Sequence, residues 1–94
     1  MKFEWDETKR TRVLVKHGLD FADIPRAFRG PRIVDYDPAY SHGEDRWRML
    51  GILDDDVILI VYTERGDTVR LITARKATPE ETQLFFEEFF GESF

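Results

Sequence analysis

The 94-residue sequence predicts an α+β domain, and three features carry that reading. Helix-start signals stand near both ends. Between them lie runs rich in Val, Ile, Leu and Tyr, separated by breaks rich in Gly, Pro and Asp. The longest run, Val57–Tyr62, is apolar at every position, as a central strand covered on both faces must be. The late strands follow one another through short turns, so they should pair antiparallel. The expected order is β-α-α-β-β-β-β-α. It gives a small antiparallel sheet with two N-terminal helices and one C-terminal helix, packed on one face.

Each element has a local cause. A short strand covers Lys2–Trp5. Asp6 reads as an N-cap, and Gly18 after Lys16-His17 reads as a stop, so a first helix spans Glu7–His17. At 3.6 residues per turn, Lys9, Arg12 and Lys16 fall within about 60° of one another, with Val13 and Leu14 on the adjoining face. Asp20 caps a second helix through Phe28, which Pro25 shortens or kinks. Gly30-Pro31 breaks the chain before a strand at Arg32–Tyr36. Residues Asp37–Asp45 (DPAYSHGED) are a loop.

Strands then follow at Arg46–Leu53, Val57–Thr63 and Thr68–Arg75. Their turns are Asp54–Asp56 and Glu64–Asp67. Thr78-Pro79-Glu80-Glu81 combines an N-cap, a Pro at the first helical position and a Glu at the third. The final helix runs to about Phe90. Its Phe85, Phe86, Phe89 and Phe90 form one stripe, and its Glu residues lie opposite. Residues 1–94 are read as one domain, with 78–94 an acidic, Phe-rich C-terminal helix.

Composition narrows the function. With no Cys there is no disulfide framework and no thiolate metal site. No apolar run reaches the ~18 residues needed to cross a membrane, and the N-terminus lacks a signal-peptide core. The expectation is a cytoplasmic domain that does not engage membranes. The net charge of -5 argues against nucleic acid until its distribution is considered. Residues 77–94 hold five Glu and no Lys or Arg, so the rest of the chain is neutral and can present a basic face.

Little conventional chemistry is available. His17 and His42 lie in separate segments without ligand spacing. Asp54-Asp55-Asp56 could hold Mg²⁺, but such a triplet between strands is more often a solvated turn. Ser41 and Ser93 sit in no nucleophile elbow, and there is no phosphate-cradling Gly motif. No metal and no cofactor are expected. What remains is a carboxylate and several cations around one hairpin: Glu64, Arg65, Arg70 and Arg75.

Metal-independent RNA cleavage needs a base for the ribose 2′-OH and cations for the phosphorane. Guanidinium suits the second task, because its planar fork meets phosphate oxygens bidentately. The same residues could equally be cross-strand ion pairs. Alternation also sends Arg70 and Arg75 to opposite faces unless a bulge or strand end intervenes.

At family level, Trp5-Asp6, Lys9, Lys16-His17-Gly18 and Asp20-Phe21 resemble the opening of the BrnT family. Gly43-Glu44, Arg46 and Gly51-Ile52 look like its central strand. Val61–Asp67 and Arg70–Ala77 look like its most recognisable block, and the similarity covers about residues 3–83. The resemblance implies a toxin of a bacterial type II toxin–antitoxin pair, RelE-like in fold, that cleaves RNA. It implies a BrnA-like antitoxin partner with a ribbon-helix-helix DNA-binding part. The complex would repress its own operon, meeting operator DNA only through the antitoxin. One position departs from the pattern: Val13 stands where members commonly have Asn. An inactive member that only binds its antitoxin is therefore the alternative.

With the resemblance, Glu64, Arg70 and Arg75 are the expected catalytic residues. Lys9, Arg12, Lys16, Arg46 and Arg65 are the expected RNA contacts. Phe86, Phe89 and Phe90, with terminal Phe94, are either core or a surface for the antitoxin. Trp5 and Trp47 read as core rather than base-stacking platforms. His17 reads as a helix C-terminal residue rather than a catalyst.

Overall fold

A computed structural model describes residues 1–37 and 43–91. Most of the expected 37–45 loop, with His42 and Phe94, lies outside the described residues. Five strands form one sheet: β1 (Lys2–Glu4), β2 (Arg32–Tyr36), β3 (Trp47–Leu53), β4 (Asp56–Arg65) and β5 (Thr68–Lys76), in the order β1-β5-β4-β3-β2. Helix α1 spans Glu7–His17 and α2 spans Pro79–Phe90.

The helix ends follow their caps. The Asp6 side chain accepts from the Lys9 N–H, and Gly18 closes α1 at φ 70°, a left-handed geometry that glycine adopts without a Cβ clash. Thr78 and Glu81 form a reciprocal capping box at the start of α2.

Three expectations are corrected. The segment expected as a second α-helix over Asp20–Phe28 is instead a turn followed by a 3-10 helix, Ile24–Arg29. The Asp20 carboxylate accepts the Ala22 N–H, and the backbone closes i→i+3 bonds at Asp23, Ile24 and Arg26. Pro25 has no N–H to give a wider turn. The sheet is not wholly antiparallel either. β1 pairs parallel to β5, with Phe3 opposite Val69, a contact between chain segments too far apart for local sequence to reveal. Nor do all helices share one face, because α2 covers the side opposite α1.

The central strand requires this division. Ile58, Ile60 and Tyr62 of β4 turn to the main core with Phe21, Ile24, Met49, Leu71 and Val13 of α1. Val57 and Leu59 turn to a smaller cluster with Leu50 and Phe85 of α2. Gly51 lets the 3-10 helix lie close, since a Cβ there would meet the Ala27 carbonyl at 3.4 Å. β4 also runs to Arg65, beyond the expected Thr63, leaving Gly66-Asp67 as the hairpin turn.

Phe85 is the single fully buried side chain of α2. Phe85→Ala should therefore destabilise the protein by about 3–5 kcal/mol, whereas Phe86→Ala should cost much less. Denaturant unfolding of the two variants checks this.

Candidate functional site

The placement of the arginines turns on one irregularity. Between β4 and β5 the register passes from Val61 opposite Thr73 to Tyr62 opposite Leu71, leaving Ile72 as an extra residue. The bulge resets the alternation of β5. Arg70 stands opposite Thr63 and Arg75 opposite Leu59. Thr63 and Leu59 are an even number of residues apart, so both arginines rise from one face despite their odd spacing.

Even spacing and cross-strand pairing bring further arginines to that face. Arg65 is two residues from Thr63, Arg48 lies opposite Val61, and Arg46 precedes Arg48 by two. Arg48 was not singled out by sequence, although its alternation with Arg46 was there to read.

Carboxylates are interleaved with these cations. Arg70 donates to Glu4 at 2.8 Å, and Arg65 grips Glu44 through two bonds of 2.7 and 2.8 Å. Arg65 also approaches Glu4 at 3.6 Å. Arg48 pairs with Asp35 at 3.0 Å, and Arg46 stands 3.9 Å from Asp37. Arg75 binds Glu81 through bonds of 2.8 and 3.1 Å. The Arg65 guanidinium holds Glu44 below the usual carboxylate range. The Arg75 guanidinium, outweighing partial burial, lowers Glu81 to about 2. Beside Arg70 the buried Thr63 hydroxyl has no hydrogen-bond partner among the described residues.

Glu64 is not brought together with Arg70 and Arg75. It lies opposite Val69, on the sheet's other face, and adds its charge to the burial that pushes the Tyr62 phenol up. The carboxylate beside Arg70 on the arginine face is Glu4, opposite it in the parallel pair.

A second group of cations borders the face. β1 pairs only with Thr68–Arg70, so among the described residues β5 beyond Arg70 has no strand on its outer edge, and α1 packs against β5 on the opposite face. Lys9 and Arg12 line a cavity of about 180 Å³ with Ile72 and Thr73. Lys16, His17, Arg75 and Lys76 line an open one of about 470 Å³. Lys9, Arg12 and Lys16 are exposed and form no ion pair with a described residue, in contrast to the sheet arginines.

Val13 is 5 % exposed and packs in the core, with its edge on the Lys9 cavity. Trp5 and Trp47 are half-buried against the main core, Trp5 near Phe21 and Trp47 near Tyr36. In the acidic turn, Asp54 accepts from Arg26 at 2.9 Å and Asp56 faces Lys76 at 3.7 Å.

The Arg75–Glu81 pair joins β5 to the first turn of α2 and has a pH signature. The folded-state pKa of Glu81, about 2, is below its ordinary 4.5. The stabilisation is therefore complete above about pH 4.5 and lost as pH falls through about 2. Thermal unfolding followed between pH 5 and 2 should show this decline, and Glu81→Gln should flatten it.

A family model described as "Ribonuclease toxin, BrnT, of type II toxin-antitoxin system" matches residues 5–81. No curated protein matches the chain. The matched span holds the five sheet arginines, the α1 cations and Glu81. Glu4 and the Phe stripe of α2 fall outside it.

Proposed function

The chain belongs to the BrnT family of ribonuclease toxins from type II toxin–antitoxin systems, and we propose that it cleaves RNA without a metal ion on the arginine face of its sheet. The observation that carries this reading is the bulge at Ile72, which aligns Arg70 and Arg75 with Arg46, Arg48 and Arg65. The RNA backbone runs along the edge of β5, with its phosphates meeting Lys9, Arg12 and Lys16. It then crosses to Arg70 and Arg75.

Sheet-face guanidinium groups can exchange a carboxylate for a phosphate because each keeps part of its side chain open to solvent. The side chains of Arg65, Arg70 and Arg75 are 52 %, 33 % and 39 % accessible; the exposed Arg65–Glu44 pair contributes little to stability, and the part-buried Arg75–Glu81 pair holds more firmly. A carboxylate takes the 2′-OH proton, the 2′-oxygen attacks phosphorus, and the 5′-oxygen leaves with a proton. Glu4 shares the face with the arginines and takes the base role for which Glu64 was expected. Water supplies the proton that the 5′-oxygen takes, since His17 lies with Arg75 at the end of β5 remote from Glu4. The products carry a 2′,3′-cyclic phosphate and a free 5′-OH.

In this reading the chain works in the cytoplasm and is neutralised by a BrnA-like antitoxin with a ribbon-helix-helix part. The pair represses its operon, with the antitoxin contacting the DNA. A second reading is an inactive member that serves only as an antitoxin-binding and co-repressor module. Two observations favour it: the carboxylate beside each sheet arginine, and the apolar Val13 on the Lys9 cavity. Expression without the antitoxin separates the readings, since growth arrest requires the activity.

Arg70→Ala and Arg75→Ala should each lower RNA cleavage at least tenfold, because loss of a charge-stabilising donor typically removes about 2.7–4 kcal/mol. Glu4→Gln should do the same and Glu64→Ala should not. The opposite ranking of the two Glu variants in a purified cleavage assay would return the base role to Glu64.

Cleavage should persist in excess EDTA and weaken with salt. A Lys9→Glu/Lys16→Glu variant should lose affinity for RNA and show a shallower salt dependence in binding titrations.

A further inference from the structure

Helix α2 carries more apolar surface than the sheet covers. Phe85 is fully buried, yet Leu84, Phe86, Phe89 and Phe90 are 54 %, 43 %, 38 % and 51 % exposed. The rings form one ladder. Phe85 meets Phe86 and Phe89 at centroid distances of 5.7 and 4.9 Å, and Phe86 meets Phe90 at 5.5 Å. The ladder begins in the core at Phe85 and continues along the exposed side of the helix. On the helix, Glu87 lies about 60° from Phe90 on one side and about 60° from Leu84 on the other. Leu84 also borders a groove of about 460 Å³ walled by apolar Ile33, Val34 and Leu50 and by the ion pairs Arg48–Asp35 and Arg75–Glu81.

We propose that this surface is the docking site for an amphipathic helix of a protein partner, with Lys or Arg beside its apolar stripe. The inference rests on the toxin–antitoxin reading, in which that partner is the antitoxin. Charge selects this occupant. Glu80, Glu87 and Glu88 are exposed around the apolar side chains, and residues 77–94 hold no Lys or Arg. RNA and anionic lipid are repelled there, and a second α2 would set Glu against Glu. A cationic helix gains both terms: apolar burial at the centre and opposite charge at the rim.

The groove supplies the consequence. A partner seated against Leu84 fills space that Arg75 lines, so docking covers Arg75 and inhibition is steric. Residues 84–90 lie beyond the span matched by the family model.

The test titrates the full chain with the purified antitoxin encoded beside it, and measures RNA cleavage and self-association in parallel. Phe86→Ser/Phe89→Ser should weaken antitoxin binding at least tenfold with cleavage retained. Glu87→Lys/Glu88→Lys, a surface change that decides the matter if the Phe variant does not fold, should weaken binding at low salt and reduce its salt dependence. Unchanged affinity in the charge variant overturns the proposal. So does a folded Phe variant that loses self-association while keeping the antitoxin. A parent chain that binds through α2 but cleaves no RNA supports the docking surface and overturns the ribonuclease reading instead.

Discussion

β4 has to be covered on both faces. Its run Val57–Tyr62 offers no polar side, so one set of side chains needs α1 and the 3-10 helix and the other needs α2. The two coverings are unequal. The main core joins thirteen buried residues, whereas the second buries Leu50, Val57 and Phe85. α2 therefore reaches only part of its face, and the remainder of that face is left for arginines. An under-covered second face and a polar, accessible sheet surface are two aspects of one geometric fact.

The bulge at Ile72 decides what that surface contains. Without the extra residue, Arg75 would point into the main core's side and leave four guanidinium groups on the face. With it, five guanidinium groups share a face, and the bulge itself lies against Lys9 and Arg12 of α1. Bulges near functional surfaces are common because a single inserted residue re-aims side chains without disturbing the strands around it.

Electrostatic balance on this face is local. Each arginine of this face has a carboxylate close by, while Lys9, Arg12 and Lys16 of α1 form no ion pair with a described residue. The paired carboxylates limit repulsion among the guanidinium groups of the sheet, and the exposed Lys9, Arg12 and Lys16 leave a positive stripe beside it. Glu81 connects this balance to the fold: one carboxylate caps α2 and holds Arg75, so an arginine of the accessible face is also a tie between sheet and helix.

Local signals were enough for much of this protein. Asp6 with Gly18, and Thr78-Pro79 with Glu81, set both helices, because caps act through bonds between residues three or four apart. The apolar run after Asp56 marked the central strand, and the spacing of Lys9, Arg12 and Lys16 marked one helix face. The family resemblance rested on ordered short motifs and needed no structure. Only tertiary structure decided the rest. The parallel pairing of β1 joins Phe3 to Val69, and the partners Glu4, Glu44 and Glu81 reach their arginines across turns and strands. The bulge is a property of how β5 registers on β4, not of any residue in β5 alone. It put Arg75 on the face of Arg70, opposite Glu64, because alternation within a strand is local while register between strands is settled by packing the whole core.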